Sequence, residues 1–215
     1  MTTNLPFVRR SIPLGTRSWL IDTVDDELAL LSHAETSAQF PFGLMLWESA
    51  IALAQLLTAN PTLAANKSVL ELGAGLGLTG VVAASLGATV TQTDHDEAAL
   101  ASCARTAALN GITTITRHPG DWHTWTDPNR YDLILGADIT YDGDDHTALL
   151  TVFDRALAPT GTILLADPCR ENLSPFIALA RTANWTITQT KATVADLKIP
   201  AKVRPITLLN LQRLT

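Results

Sequence analysis

Short β-rich runs alternate with amphipathic segments along most of the chain after residue 67. Seven runs combine apolar and β-branched residues as strands do, at residues 68–72, 89–93, 113–117, 131–137, 162–166, 185–190 and 204–211. Helical periodicity fills the first two gaps, over residues 78–86 and 97–110. Repeated strand–helix–strand units require parallel strands joined by right-handed crossovers. The pattern therefore predicts an α/β fold built on a doubly wound, seven-stranded and mostly parallel sheet.

The two ends of the chain are predicted to depart from this repeat. Residues 191–203, between the last two predicted strands, lack a helical pattern and contain Pro200, so we expect the last strand to run antiparallel. Near the start, apolar residues alternate around a glycine turn within residues 10–24 and predict a short β-hairpin. A helix is predicted at residues 46–58, where apolar residues recur at helical spacing before an Asn-Pro stop.

Length and composition are typical of one folded unit. The chain has 215 residues, of which 47% are hydrophobic and 17% charged, and this is enough to bury one substantial core. No repeat, low-complexity tract or long charge block divides the sequence. We therefore expect a single domain over residues 1–215, with residues 1–45 as an N-terminal extension and residues 46–215 as a Rossmann-like core.

A glycine-rich turn after the first strand of the predicted sheet is the strongest functional signal. Glu71 stands near the end of that strand, and Gly73, Gly75 and Gly77 follow it. Such glycines allow positive φ and remove the Cβ atoms that would keep a ligand away from the main chain. The next strand ends near Asp94, a position at which an acidic residue holds the ribose of a nucleotide cofactor. A tight structural turn and a helix-capping role for Asp94 are the alternatives.

The charge of the loop separates two classes of cofactor. Residues 75–80 also match the fingerprint of dinucleotide-binding proteins, so an NAD-dependent oxidoreductase is a competing interpretation. A pyrophosphate favours the partial positive charge of a helix N-terminus. The carboxylate of Glu71, just before the glycines, instead favours a cofactor that carries an ammonium group and a sulfonium. This charge indicates S-adenosylmethionine.

Five segments together resemble a known family. Residues 71–77 are similar to motif I of the class I, seven-strand S-adenosylmethionine-dependent methyltransferases. The other four segments are similar to motifs of the protein-lysine methyltransferase branch, which includes the enzyme acting on the electron-transfer flavoprotein β-subunit. They are a Gly…Trp-x-x-Ala segment, an acidic-Trp pair, an Asp-x-x-Tyr signature and an Asp-Pro-x-Arg segment, at residues 42–50, 120–122, 138–141 and 166–170. The last of these resembles the segment that follows strand five in the flavoprotein-modifying members.

The resemblance implies roles for individual residues around the cofactor. The glycines would line the methionine end, and Asp94 would hold the ribose. Asp121 would accept from the adenine amino group and Trp122 would stack on the ring, with Trp125 as the alternative aromatic. Trp47 would close over the cofactor from the N-terminal side. The full set of predicted cofactor-binding residues is Trp47, Glu71, Gly73, Gly75, Gly77, Asp94, Asp121, Trp122 and Asp138.

Asp138 and Tyr141 are the predicted catalytic residues. The apolar run at residues 131–137 is typical of a buried central strand, and it delivers Asp138 to the edge where ligands bind in open α/β sheets. A lysine amine, with an ordinary pKa of about 10.4, must lose its proton before it attacks a methyl group. Asp138 is expected to orient that amine, and Tyr141 to supply an aromatic wall or a hydroxyl. Arg170 is expected either to bind a substrate carboxylate or to pair with Asp167.

Composition excludes several other classes of function. The net charge of −6 argues against adhesion to nucleic acid or anionic lipid. No run reaches the roughly 18 apolar residues that a membrane span needs. The start lacks a secretory-signal pattern and two cysteines are too few for a disulfide framework, so we expect a cytoplasmic protein. The five histidines have no metal-ligand spacing, and no metal site is predicted.

These observations predict an enzyme, an S-adenosylmethionine-dependent methyltransferase that acts on a protein lysine. A small amine is the alternative acceptor. An NAD-dependent oxidoreductase and a non-catalytic binding module are the alternatives from other functional classes.

Overall fold

A computed structural model describes residues 5–37, 40–199 and 201–214, and within these ranges the chain forms nine strands and six α-helices. The strands are β1 (Phe7–Leu14), β2 (Arg17–Val24), β3 (Ser68–Leu72), β4 (Thr89–Asp94), β5 (Thr116–Pro119), β6 (Tyr131–Ala137), β7 (Leu157–Asp167), β8 (Trp185–Ala195) and β9 (Val203–Arg213). The helices are α1 (Glu27–Ser37), α2 (Glu48–Ala59), α3 (Leu78–Ser85), α4 (Glu97–Leu109), α5 (His146–Ala156) and α6 (Leu173–Thr182).

Strands β3 to β9 form one sheet in the order β5-β4-β3-β6-β7-β9-β8. The five strands from β5 to β7 in this order pair in parallel, whereas β9 runs antiparallel to both β7 and β8. The strands β1 and β2 pair as a separate antiparallel hairpin. The predicted α/β, Rossmann-like doubly wound sheet, with its antiparallel last strand and N-terminal hairpin, is confirmed.

Strand β5, the third strand of the sheet in sequence order, lies further along the chain than predicted. The hydrophobic pattern predicts it at residues 113–117, but β5 begins at Thr116, because its pairing with β4 starts with Thr116 opposite Thr91. The preceding threonines have β propensity but no partner strand. Pro119 can end β5 because β5 is at the edge of the sheet, where no further strand needs its missing N–H.

The last three strands are longer than the apolar runs that predict them. Pairing between β8 and β9 continues from Trp185 opposite Arg213 to Ala195 opposite Val203, which makes the connection a long hairpin rather than a crossover. Strand β7 starts at Leu157 instead of the predicted residue 162. Pairing with a neighbouring strand therefore extends each strand beyond the run that the hydrophobic pattern predicts.

Two layers of helices bury the faces of the sheet. Helices α2, α3 and α4 contribute to one apolar cluster, and α5 and α6 contribute to the other. The central strand β6 serves both layers, since Leu133 and Leu135 pack into the first cluster and Ile134 into the second. This alternation is the period of two that a strand imposes on its side chains.

The hairpin is bonded to the far end of α4. The Asn110 side chain accepts a hydrogen bond from Leu20 N at 3.0 Å and donates one to Leu20 O at 2.8 Å. At the other end of β2, Thr23 Oγ1 accepts from Leu46 N at 3.0 Å. These bonds fix residues 40–47, which connect the hairpin and α1 to α2, against the carboxyl edge of the sheet.

Glu71 lies beneath the first turn of α3. It is 4% exposed, and its Oε2 accepts from Gln92 Nε2 at 2.7 Å. A Cβ on Gly80 of α3 would stand only 2.4 Å from that same Oε2, so the helix and the carboxyl are in close contact. Burial raises the pKa of Glu71 to about 7, although the hydrogen bonds oppose the shift.

Replacement of Phe153 by alanine is expected to lower the free energy of unfolding by about 3–5 kcal/mol, because it opens a cavity in the second cluster. Phe153 is fully buried, with ring centroids 6.5 Å from Phe176 and 6.1 Å from Trp185. Urea unfolding measures the change. Leu28→Ala is the control, since Leu28 is 78% exposed and its loss should change stability by only about 0.5 kcal/mol. Equal effects of the two variants would contradict this packing.

The buried carboxyl of Glu71 should make stability depend on pH. Because its pKa rises from 4.5 in the unfolded chain to about 7 in the fold, the folded protein binds the extra proton. Its stabilising contribution is complete below pH 4.5 and is lost as the pH rises through 7. The stability of the wild type minus that of Glu71→Gln should therefore fall by up to about 3 kcal/mol between pH 4.5 and pH 8. A difference that stays constant over this range, in urea titrations, would contradict the buried position.

Candidate active site

A cleft of about 520 Å³ opens at the carboxyl edge of the sheet. Its walls come from the residues that follow β3, β4, β5 and β6, and from residues 40–43 with Trp47 ahead of α2. The order of the sheet explains its position: the chain leaves β3 toward β4 and β5, and then returns to the other side of β3 as β6. Open α/β sheets bind ligands at this kind of switch point.

The glycine loop forms the floor of the cleft in a conformation that requires glycine. Gly73 and Gly75 have φ of 57° and 53°, in the left-handed region. A Cβ on Gly73 would come within 2.9 Å of Ile139 Cγ2, and one on Gly75 within 3.3 Å of Gly43 O. The absence of side chains at these two positions leaves main chain at the surface of the cleft.

Asp94 holds the loop from the tip of β4. Its Oδ2 accepts from Gly75 N at 2.9 Å and its Oδ1 from Asp96 N at 3.0 Å. A carboxylate has about four acceptor positions, so others stay available to a ligand. Burial raises the pKa of Asp94, which is 6% exposed. The cap of α4 is Asp96, whose Oδ1 accepts from Ala98 N at 2.8 Å, so the alternative capping role belongs to Asp96.

The two tryptophans after β5 have different positions. Trp122 lines the cleft, and its Cζ2 would be 3.5 Å from a Cβ on Gly73. Trp125 is 6% exposed and packs in the second apolar cluster, away from the cleft wall. Asp121 also lines the cleft, and its Oδ1 accepts from His123 N at 2.8 Å to start the short turn at Trp122.

Asp138 stands at the end of β6 with both carboxylate oxygens engaged. Its φ of 57° turns the chain sharply, and its N donates to Ala166 O at 2.7 Å. Arg170 Nε donates to Oδ1 and Arg170 Nη2 to Oδ2, both at 2.6 Å. Burial raises the pKa of Asp138, and the Arg170 guanidinium opposes that shift. The expected pairing of the Arg170 side chain with Asp167 needs correction, because the side-chain partner is Asp138 and Asp167 accepts from the backbone N of Arg170, at 2.8 Å.

An aromatic rim surrounds the cleft next to Asp138. Phe42, Trp47 and Tyr141 form it, with ring centroids 6.3 Å apart for both the Phe42–Trp47 and the Phe42–Tyr141 pairs. Trp47 Nε1 donates to Phe42 O at 3.0 Å, and Arg170 Cζ lies 5.4 Å from the centre of the Trp47 ring. Phe42 and Tyr141 are 51% and 42% exposed, so the rim is open to the surface.

The structure brings most of the predicted site residues together. Those that line the large cleft are Trp47, Gly73, Gly75, Asp94, Asp121, Trp122, Asp138 and Tyr141. Glu71 and Gly77 lie behind the loop instead, at a side cavity of about 30 Å³. Glu71 points toward α3 because it shares a face of β3 with Val69 and not with Leu70 and Leu72.

Sequence reasoning missed two parts of the site. The Arg170–Asp138 pair joins residues that follow two neighbouring strands, β7 and β6, and Phe40 with Phe42 comes from the N-terminal extension. Among the described residues, no three His, Cys, Asp or Glu side chains are placed to hold a metal ion. No helix in the described ranges has the length and apolar character to cross a membrane.

Comparisons with known proteins agree with this arrangement. A sequence model of the lysine methyltransferase family matches residues 25–181. Protein N-lysine methyltransferase METTL21A of Xenopus tropicalis is 33% identical over 136 residues, which cover 61% of this chain and 63% of that protein. Histone-arginine methyltransferase METTL23 of Xenopus laevis is 36% identical over 121 residues, or 52% of this chain and 50% of that protein. The chain thus spans about half to two thirds of the length of these curated relatives.

A solved structure shows the same fold. The ribosomal protein L11 methylase of Lactobacillus delbrueckii subsp. bulgaricus superposes with a TM-score of 0.57 and 22% identity, covering 77% of each chain. The family match is more specific, since it includes the glycine loop, the Asp-x-x-Tyr segment and Arg170 and extends over well more than half of the sequence. The chain belongs to the lysine methyltransferase family.

Proposed function

We propose that the protein uses S-adenosylmethionine to methylate the side-chain amine of a protein lysine. The observation that carries this proposal is that one cleft has a wall suited to a nucleoside cofactor and a second wall suited to an amine side chain. On one side are Asp94, Trp122 and exposed main chain of the glycine loop, and on the other is Asp138 inside an aromatic rim. A donor held by the first wall would present its methyl group to an acceptor at the second.

The residues present fit this cofactor. The volume of about 520 Å³ lies within the range of small-molecule sites. Asp94 has free acceptor positions for ribose hydroxyls, and Asp121 has them for the adenine amino group. Trp122 offers an indole face for stacking, and the glycine main chain admits the methionine end without a Cβ in the way. When bound, S-adenosylmethionine supplies an electrophilic methyl group, whose C–S bond breaks as the acceptor nitrogen forms the new N–C bond.

The charge of the cleft supports a cationic donor over a dinucleotide. Its walls carry the carboxylates of Asp94, Asp96 and Asp121, besides those of Asp138 and Asp145, which pair with Arg170 and His123. A pyrophosphate would face these anions, whereas a sulfonium and an ammonium group are attracted by them. Glu71 contributes from behind the loop as a positioning residue, since its carboxyl supports the first turn of α3.

On the acceptor side, the chain's own residues orient the nucleophile and limit water. Asp138 is placed to accept an N–H from an incoming amine, and Tyr141 and Phe42 offer apolar surface to a lysine side chain. Proximity and orientation of this kind are the main requirement of an in-line displacement. The open rim suits a long side chain that reaches in from the surface of another protein.

The substrate class within the family is part of the proposal. The name of METTL21A supports lysine and the name of METTL23 supports arginine, so arginine is the alternative protein acceptor. The resemblance of residues 167–170 to flavoprotein-modifying enzymes makes the electron-transfer flavoprotein β-subunit one protein to assay. A small amine is the alternative outside proteins. The single domain over residues 1–215 and the cytoplasmic location stay predictions.

Asp94→Asn should weaken S-adenosylhomocysteine binding by about tenfold or more, because charge-assisted hydrogen bonds are worth about 1.5–3 kcal/mol. Calorimetry measures the affinity, and Asp154→Asn is the control, since Asp154 lies in an exposed ion pair with Arg213. NADH should show no saturable binding. Saturable binding of NADH without binding of S-adenosylhomocysteine would transfer support to the oxidoreductase interpretation.

Asp138→Asn should slow methyl transfer by roughly tenfold or more, since the amine loses a charged acceptor. Tritium from labelled S-adenosylmethionine is counted in protein bands and in low-mass material of a cell lysate, and mass spectrometry locates the methyl group. We expect label on lysine in protein for the wild type and for Asp154→Asn. Label in low-mass material would favour the small-amine alternative. If neither protein nor low-mass material takes up label, while the protein binds a partner tightly, a non-catalytic binding module would be favoured.

A further inference from the structure

Arg170 neutralises the carboxylate that faces the acceptor side of the cleft. The pair is bidentate, with both N–O distances at 2.6 Å, and bonds of this kind are among the strong ones in proteins. The Asp138 side chain is 5% exposed and the Arg170 side chain 38%, so the guanidinium covers the carboxylate from outside. Asp138 also lines the cleft. Arg170 takes one acceptor position on each carboxylate oxygen, and a carboxylate has about four, so acceptor capacity remains for a ligand.

Several contacts specify this position of Arg170. Its backbone N donates to Asp167 Oδ1 at 2.8 Å, while Asp167 Oδ2 accepts from Thr140 Oγ1 at 2.6 Å. Cys169, just before it, has φ of 65° and turns the chain after β7. The guanidinium also lies 5.4 Å from the centre of the Trp47 ring, at the start of α2. The end of β7 and the start of α2 therefore hold the guanidinium on Asp138.

The pairing changes which form of an amine the site favours. An unpaired carboxylate would attract a lysine ammonium ion and keep its proton in place. A carboxylate that already has a guanidinium partner offers little net charge to an ammonium ion, and a cationic methyl donor beside it repels that ion further. A neutral amine can still donate an N–H to a remaining lone pair of Asp138.

We propose that Arg170 is a positioning residue that neutralises Asp138, so that the acceptor lysine enters as a neutral amine and Asp138 accepts only its hydrogen bond. The inference rests on the proposed function. The proton that leaves the ammonium ion goes to solvent before the nitrogen lone pair attacks, and Asp138 stays a carboxylate throughout. Specificity for an amine that can lose a proton follows from the charge of the pair.

The other titratable groups around Asp138 and Arg170 have other partners or line other parts of the cleft. Glu48 of α2 accepts from Leu197 N at 3.3 Å and is 4.0 Å from Arg204, and Asp167 is bonded as described above. Tyr141 faces the same part of the cleft from the loop after β6. The groups that face the rest of the cleft are Asp94, His95, Asp96, Asp121, His123 and Asp145. None of these groups supplies a cation to Asp138, so a test of the inference must remove the positive charge of Arg170.

The test is the pH dependence of methyl transfer under single-turnover conditions. The acceptor is the protein that takes up most tritium in the lysate, purified and used at saturating enzyme and labelled S-adenosylmethionine. Wild type is compared with Arg170→Met, Arg170→Lys and Asp138→Asn. Arg213→Met is the matched control, because Arg213 also pairs with an aspartate, Asp154 at 2.6 Å, and lies over a tryptophan, but far from the cleft.

Arg170→Met should move the midpoint of the rise in rate with pH upward by about one unit, which is about tenfold slower transfer at a fixed pH below the midpoint. In a separate enzyme titration at one pH, the enzyme concentration that gives half of the maximal single-turnover rate should stay equal or fall, because the free carboxylate now binds the ammonium ion. Arg170→Lys keeps the charge and should keep the midpoint, with a lower rate from the lost fork geometry. Asp138→Asn should lower the rate without an upward shift of the midpoint. Arg213→Met should change neither quantity.

The outcomes separate this inference from the proposed function. A wild type that transfers no methyl group to protein at any pH overturns both. A wild type that methylates lysine, with a midpoint unmoved in Arg170→Met, overturns the inference alone and leaves Arg170 a structural role. Thermal melting and S-adenosylhomocysteine affinity establish that each variant is folded. If Arg170→Met does not fold, an upward shift in Asp138→Asn would overturn the inference by itself.

Discussion

Parallel pairing of β3 with both β4 and β6 is the constraint on which the whole site depends. Parallel strands present their carboxyl ends at one edge, and the loops that follow them must therefore meet there. Strands β4 and β6 pair with opposite edges of β3, and β4 precedes β6 in the sequence. Gly73, Asp94 and Asp138 are distant in sequence but converge because each stands at the carboxyl end of one of these three strands.

The same edge concentrates buried carboxyl groups, and each has specific donors. Asp94 accepts from the backbone of the glycine loop, Asp167 from Thr140, and Asp138 from Arg170. Behind the loop, Glu71 accepts from Gln92, and burial raises its pKa to about 7. Differences in donors thus make chemically similar side chains suited to different tasks: support of a helix, ligand binding and alignment of an acceptor.

Sequence reasoning succeeded where a feature is local to one strand end. The glycine turn, Asp94 and Asp138 could be predicted because each is fixed by a short apolar run and the residue that follows it. The orientation of Glu71 can also be read from the sequence: in a strand buried on both faces, Glu71 alternates with Leu70 and Leu72 and so faces α3. The amphipathic pattern of α5 is likewise present in the sequence, since its buried residues recur at helical spacing.

Features that depend on two distant segments could not be predicted in this way. The partner of Arg170 is decided by the neighbouring positions of β6 and β7 and by the turn at Cys169. The aromatic rim depends on how the hairpin, held by Asn110 and Thr23, places residues 40–47 over the sheet. The length of β8 and β9 depends on their mutual pairing and not on their hydrophobic pattern.

A crystal structure with S-adenosylhomocysteine is the most direct measurement of the central proposal. We expect the adenine against Trp122, the ribose hydroxyls on the carboxylate of Asp94, and the sulfur facing Asp138 across the glycine loop. Ligand density elsewhere on the molecule, or the cleft closed by its own side chains at saturating ligand, would contradict it.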